Sequence, residues 1–244
     1  MLAATSRGLV SFDNRMKQTI FTKERSGLVN DSVAHVSFVD VSTPGPESPG
    51  GAQPGKLDRG RALIVATAGG LTQLAGGRAR SLTAFHGLAS NHLYTSAGVG
   101  SRLFVGSLAG LVELEGLRVV RTYKTSNSGL AHDWVTALAE AGGTLYIGTN
   151  GGGVEALLPT GEWVNFADEI GKFEVNQNAM HFDGEQLFVG TSDRGLLVYN
   201  TRGRRWTHIS AGLASQSVTA ITSDDRFVYA GTSNGLVRIE KRVI

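Results

Sequence analysis

Apolar residues in this chain come in short runs, broken every few positions by Gly, Asn, Asp or Ser, and the runs repeat. "LFVGSLAGLVEL" at 103–114, "LYIGTNGGGVEAL" at 145–157, "LFVGTSDRGLLVY" at 187–199 and "VYAGTSNGLVRI" at 228–239 share one layout. Weaker copies are "MLAATSRGLVSF" at 1–12 and "LIVATAGGLTQL" at 63–74. Their hydroxyl residues, Thr5, Thr67, Ser107, Thr149, Thr191 and Thr232, are 62, 40, 42, 42 and 41 apart. A second mark, Gly27, Gly87, Gly129, Gly171 and Gly212, keeps the same period. From it to the next apolar run is 16 residues in four repeats and 36 in the first, so one repeat carries a twenty-residue insert.

Each period holds four segments of strand character, for example 134–140, 144–149, 153–158 and 162–166, rich in β-branched and aromatic residues and separated by turn formers. No window shows a sustained apolar stripe at helical spacing, which predicts almost no helix. A lone four-stranded sheet with two apolar faces leaves one of them wet, whereas copies stacked about an axis cover both; the expectation is an all-β fold, a β-propeller of four-stranded antiparallel blades, in one domain over 1–244. Second and third strands number six. First strands number five, and fourth strands, at 19–21, 81–85, 119–123, 162–166 and 205–209, also five, which makes 22 and leaves six blades two strands short. The prediction is six blades with an incomplete first and last; a five-bladed closed ring, or a segment of a larger propeller, are the alternatives.

The glycine cluster at 148–153 follows a strand, as phosphate-binding loops do. Those loops lead into a helix, whereas strand character resumes here, so the cluster is read as the turn between second and third strands, with glycines supplying positive φ. The chain has 33 Gly among 244 residues, and their fixed place in the repeat marks turns rather than disorder. There is no cysteine, which excludes disulfides and thiolate chemistry. With 23 basic and 21 acidic residues, the charge argues against nucleic acid or an anionic membrane as partner. No apolar run reaches membrane-helix length, and no signal peptide is read at the N-terminus.

"SGLAHDWVTALAEAGGTLYIGTNGGGVEAL" (128–157) and "AGLASQSVTAITSDDRFVYAGTSNGLVRI" (211–239) resemble the two-component regulator propeller repeat: Gly-Leu, a short polar stretch, V-x-A-I, then L-W-I-G-T and a glycine-rich turn. The resemblance covers nearly the whole chain outside the insert. Tyr or Phe stands where the family has Trp, the repeat around Gly171 ("EIGKFEVNQNAM") is degenerate, and the chain itself carries no kinase, receiver or DNA-binding segment. The resemblance implies a bacterial sensor or ligand-binding propeller in signal transduction, often extracytoplasmic.

The insert, about 41–60, holds four of the five prolines and is expected to be solvated, on the bottom face. The loops from each fourth strand to the next first strand open on the top face with the glycine turns, and give the candidate ligand contacts: Asn30, Asp31, Asn91, His92, His132, Asp133, Trp134, Glu174, Asn176 and Gln216, with Arg194 as a cationic contact. Their variation from blade to blade fits a binding mouth and fits unconstrained loop positions equally. "GGAQPGKL" at 50–57 lacks the Ser or Thr of a P-loop, and "GTSNG" around Ser233 lacks the helix of a nucleophile elbow. Six histidines show no metal-ligand spacing, and Trp163 and Trp206 recur on outer strands as packing residues. The leading expectation is a non-enzymatic propeller that binds a small molecule, glycan or protein at the top mouth, with no cofactor and no metal. A hydrolase or lyase using His92, His132, Asp133 and Glu174 is the second, and a structural piece that self-associates through its incomplete blade is the third.

Overall fold

The computed structural model describes residues 1–40 and 61–244; the insert at 41–60, with its P-loop-like stretch, lies outside the described residues. The chain is an all-β propeller of six blades, each an antiparallel meander, and it divides into two compact units, Met1–Tyr123 and Lys124–Ile244. In the first unit, sheet I is β1 (Leu2–Thr5), β2 (Gly8–Phe12) and β3 (Gln18–Phe21), followed by the single turn α1 (Lys23–Ser26). Sheet II is β4 (Val33–Asp40), β5 (Arg61–Thr67), β6 (Gly70–Ala75) and β7 (Arg78–Leu82). Sheet III is β8 (Leu93–Val99), β9 (Arg102–Ser107), β10 (Gly110–Glu115) and β11 (Arg118–Tyr123). In the second unit, sheet IV is β12 (Val135–Ala141), β13 (Thr144–Thr149), β14 (Gly153–Leu157) and β15 (Trp163–Asn165), followed by α2 (Ala167–Ile170). Sheet V is β16 (Val175–Phe182), β17 (Gln186–Thr191), β18 (Leu196–Asn200) and β19 (Arg205–Ile209), and sheet VI is β20 (Val218–Ser223), β21 (Phe227–Thr232) and β22 (Gly235–Glu240).

Among the described residues the 22 strands are those the repeat predicts, and the three-stranded sheets are the first and the last. The five-bladed alternative gives way to six sheets because residues 1–12 are not surplus: they form a hairpin whose Leu9 is fully buried and pairs with Phe21. The fourth strand of sheet II lies three residues earlier than expected. Pairing of Leu71 with Leu82 sets its end, and the chain then enters a 3-10 turn at Ala84–His86, where the Thr83 N–H donates to His86 Nδ1 at 3.1 Å and Phe85 is left in solvent.

One local device recurs in every sheet. The hydroxyl ending the second strand donates to the carbonyl of the glycine that opens the third: Thr5 to Gly8 (2.6 Å), Thr67 to Gly70 (2.7 Å), Ser107 to Gly110 (2.9 Å), Thr149 to Gly153 (3.3 Å), Thr191 to Gly195 (2.9 Å) and Thr232 to Gly235 (2.8 Å). The same oxygen accepts a turn N–H, as from Arg194 at 2.8 Å. A buried hydroxyl is thereby satisfied twice, and the hairpin register is held.

Between blades the core is apolar side chains from facing sheets. Leu9 and Phe21 of sheet I pack with Leu63 and Val65 of sheet II, and Ile64 and Leu71 of sheet II with Val105 and Leu114 of sheet III. In the second unit, Tyr146 and Val154 meet Val189 and Tyr199, and Phe188 and Val198 meet Val218 and Val228. Trp206 packs as its outer-strand position predicts, 4.8 Å from Tyr199 and 5.3 Å from Phe166 between ring centroids. First strands of neighbouring blades are joined by polar side chains: the Thr136 hydroxyl donates to Val175 O at 2.7 Å, and His35 Nδ1 lies 3.2 Å from Ser96 Oγ. Burial drives the His35 pKa down to about 4, which keeps the ring neutral.

In sheets III to VI the residue before the turn hydroxyl is glycine, and in sheets IV and V it lets the next sheet approach. A Cβ on Gly190 would lie 2.5 Å from Val218 O and 2.9 Å from Ala179 Cβ, whereas one on Gly231, the same position in sheet VI, would meet Ala220 Cβ at 3.3 Å. Gly190→Ala is therefore expected to destabilise the fold by about 1–3 kcal/mol and lower Tm by roughly 3–10 °C, with a smaller loss for Gly231→Ala. Equal losses in differential scanning calorimetry would contradict this account of blade spacing.

Candidate functional site

Polar side chains in the loops from fourth to first strands follow two rules set by the backbone. Three residues after the repeat glycine, an acceptor takes the N–H two positions on: Asn30 Oδ1 from Ser32 (2.8 Å), Ser90 Oγ from His92 (3.1 Å), His132 Nδ1 from Trp134 (3.1 Å) and Ser215 Oγ from Ser217 (3.1 Å). These are turns closed by a side chain. Four residues after the glycine, the side chain reaches back across the loop: Asp31 accepts from Lys23 N (2.6 Å), Asn91 from Ala84 N (2.6 Å) and Asp133 from Thr125 N (2.7 Å), and the Gln216 amide donates to Ser210 O (3.0 Å). Candidates at both positions thus have an architectural job.

The remaining candidates divide by unit. In the first, the His92 ring stacks on Tyr94, 4.9 Å away at 20°. In the second, the Asn176 amide donates to Thr191 O and Val218 O, both at 2.8 Å, and so joins sheets V and VI. Arg194 donates to Ile170 O (3.1 Å) and Lys172 O (3.0 Å) and lies over the Phe173 ring at 5.3 Å, so its charge closes the last turn of α2.

The structure brings together one set of loops in the second unit. The Asn150 N–H donates to Trp134 O (2.9 Å), Asn150 bridges to Glu174, and a Cβ on Gly151 would lie 3.9 Å from His132 Cδ2. Next to Glu174, the first strand of sheet V bulges. In the other four sheets that have a first strand the register slips by one residue at this place, as between Val33 and His35. In sheet V, Val175 faces Thr191 and the next pair is Met180 with Val189. The bulge holds Asn178 at φ 55 and leaves Gln177 exposed. A non-glycine residue at positive φ is uncommon, and bulges gather beside binding sites, where they re-aim side chains. Sequence reading saw this stretch as a degenerate repeat; its signal was the valine arriving four residues after Gly171 rather than six after Gly27.

Behind these loops lies a group that sequence reading missed. Glu155, in β14, is fully buried, and beyond a weak interaction with the Ala131 N–H neither carboxyl oxygen has a hydrogen-bond partner among the described residues. Burial raises its pKa to about 8, opposed only in part by the Ala131 N–H and the charge of Lys172. The same position in sheet II is Thr72, whose hydroxyl accepts the Val29 N–H at 2.9 Å. A carboxyl here is protonated at neutral pH. Among the described residues, no three His, Asp or Glu lie close enough to share a metal ion, and no helix is long and apolar enough to cross a membrane.

No protein-family model matches the chain, and no curated protein sequence matches it. Solved structures do. The extracellular domain of the hybrid two-component system BT3049 from B. thetaiotaomicron is 19% identical with a TM-score of 0.70, over 98% of this chain and 32% of that one. That of BT4673 from the same organism is 16% identical with a TM-score of 0.72, over 99% and 33%. PorZ, a surface component of the type-IX secretion system of Porphyromonas gingivalis, is 20% identical with a TM-score of 0.60, over 98% and 30%. The chain spans about a third of the length of each. The shared feature is the fold, and two of the three are extracellular domains of two-component systems.

Between the ordinary carboxyl value of 4.5 and about 8, the folded chain keeps a Glu155 proton that the unfolded chain has released, so this group makes stability fall as pH rises, by up to about 1.4 kcal/mol per pH unit. Glu155→Gln is expected to flatten that slope: its Tm relative to wild type should be higher at pH 8 than at pH 5. A Tm difference independent of pH would show that Glu155 is ionised in the fold.

Proposed function

We propose that the chain is a non-enzymatic recognition propeller of sensor type, and that the loops of the second unit around the bulge in β16 hold the ligand. The bulge is the observation that carries this reading. It is unmatched in the other sheets, fixes Asn178 at φ 55 and leaves Gln177 exposed three residues after Glu174, which Asn150 links to the Trp134 loop. An amide on β16 with a carboxylate, an indole and an imidazole on the loops that enter β16 and β12 suits a small polar ligand with an apolar face, such as a sugar, held by hydrogen bonds and stacking. The resemblance to extracellular domains of two-component systems supports the sensor role. The architectural use of Asp133 and Asn176 supports a preformed site, since their hydrogen bonds fix the loops before any ligand arrives.

The test is a thermal-shift screen of the purified chain against neutral and acidic mono- and oligosaccharides. A ligand at about one hundred times its Kd should add about 2.7 kcal/mol and raise Tm by roughly 5–10 °C. Gln177→Ala, and His132→Asn, which keeps an acceptor for the Trp134 N–H as Asn30 does in the first unit, should each reduce the shift and leave the unliganded Tm within about 2 °C. A saccharide shift that neither substitution changes would place binding elsewhere, and no shift across the panel would sink the sugar-class reading.

A further inference from the structure

Charge is balanced over the chain and unbalanced within it. Of the 23 basic and 21 acidic residues, 13 and 8 lie in the first unit and 10 and 13 in the second. Most acids of the first unit are already engaged there: Asp31 accepts Lys23 N, Asp40 faces Arg61, Glu113 holds Arg102 and Tyr123, and Glu115 holds Arg118. Arg78 and Arg80, both exposed on β7, have no acidic partner among the described residues. Strand alternation aims them at one seam. A Cβ on Gly27 would lie 3.0 Å from Ala79, so Ala79 faces the loop from sheet I. Arg78, Arg80 and Leu82 share the opposite face of the strand, and Leu82 is buried in the core between sheets II and III.

The same seam carries an apolar side chain that the fold does not use. The 3-10 turn at Ala84–His86 is held by the bonds from His86 N to Thr83 O (2.8 Å) and from Gly87 N to Ala84 O (3.0 Å), and by Asn91, which accepts the Ala84 N–H. A Cβ on Gly87 would lie 3.7 Å from Val119, so the turn rests against β11 of sheet III. None of these contacts involves the Phe85 side chain. It is 95% exposed, and its one ring contact among the described residues is with His86, edge-on at 5.7 Å. At the same place, two residues before the repeat glycine, the other loops have Arg25, Asn127, Glu169 and Ser210. A large apolar group stands here on a rigid support in water, where its sister loops are polar.

We infer that the seam between sheets II and III is a docking surface for an anionic lipid bilayer, with the Phe85 ring entering the interface and Arg78 and Arg80 meeting lipid phosphates. Charge complementarity selects this partner, since the guanidinium fork matches a phosphate group and these two forks have no carboxylate of their own. The shape of the site selects it as well. A ring that projects from a turn needs a matching cavity in a protein partner, whereas the boundary between headgroups and acyl chains admits it without one. An apolar group combined with basic residues is the pairing that gives reversible attachment, each being weak alone. The inference concerns the first unit alone, and the ligand loops of the second unit neither support it nor depend on it.

The test is co-sedimentation of the purified chain with vesicles of phosphatidylcholine alone and of an equimolar mixture of phosphatidylcholine and phosphatidylglycerol. Binding to the mixed vesicles is expected with a partition constant on the order of 10³–10⁴ M⁻¹, weakened by salt, and binding to the neutral ones is expected to be at least tenfold weaker, roughly. Phe85→Ser should weaken binding about tenfold, and Arg78→Gln and Arg80→Gln about fivefold each. All three side chains are exposed, so Tm should stay at the wild-type value. Arg205→Gln, exposed in the second unit, should change nothing. In Phe85→Trp, the added emission should shift to the blue on mixed vesicles and be quenched by brominated acyl chains. Binding that Phe85→Ser leaves unchanged, or that Arg205→Gln weakens as much as Arg78→Gln does, would be general adhesion of charge and would overturn the inference. Absence of binding to mixed vesicles would overturn it too, and would give Phe85 to a protein surface, of this protein or of another.

Discussion

A four-stranded meander whose two faces are both apolar is unstable by itself, and that constraint governs the rest of this structure. Leu63 and Val65 of β5 face sheet I, and Ile64 and Ala66 of the same strand face sheet III; all four are buried. The alternation that normally sets one face of a strand in water here sets both in protein. Each sheet therefore specifies its neighbours, and Gly190 and its counterparts follow from how near the neighbour must come. Stability of this kind is a sum of nearest-neighbour contacts, in which a change at one blade is felt by the next and little beyond it.

The turn hydroxyls show how such a sheet is kept in register without a large local core. Thr67, Ser107, Thr149 and Thr191 are completely buried, yet each donates to a glycine carbonyl and accepts an N–H, so burial costs little. The exception to this economy is Glu155, which stands where its sister blade has Thr72 and for which the equivalent Ala131 N–H offsets only part of the cost of burial. It is tolerated because a protonated carboxyl is a neutral group.

Most of the fold was legible in the sequence because spacing carries it. The second and third strands are fixed by the hydroxyl and glycine at constant offsets, and their number, with the short first and last sheets, follows by counting. What spacing cannot carry is where a strand stops. The fourth strand of sheet II ends at Leu82 because Leu71 has no further partner to offer, and the following "TAFH" looks as strand-like as "SLTAF" does. Glu155 was invisible for a related reason: an isolated glutamate among apolar residues reads as an outward position until both faces are known to be covered.

The candidate site was legible as a place and illegible as a list of residues. Asp31, Asn91, Asp133 and Gln216 differ from blade to blade, which looks like a surface tuned to a ligand, yet all four bind loop backbone from the same offset. Variation among them reflects how many short polar side chains can reach one backbone group, and it carries no information about a ligand. Information lies instead where a blade departs from the repeat with no architectural return. The β16 bulge carries two residues more than the one-residue slip at Val33 and His35, and it holds Asn178 at positive φ, a conformation uncommon outside glycine. In a repeat protein the regular positions report on the scaffold. A functional reading must therefore start from the irregular ones, and here that is the bulge of sheet V.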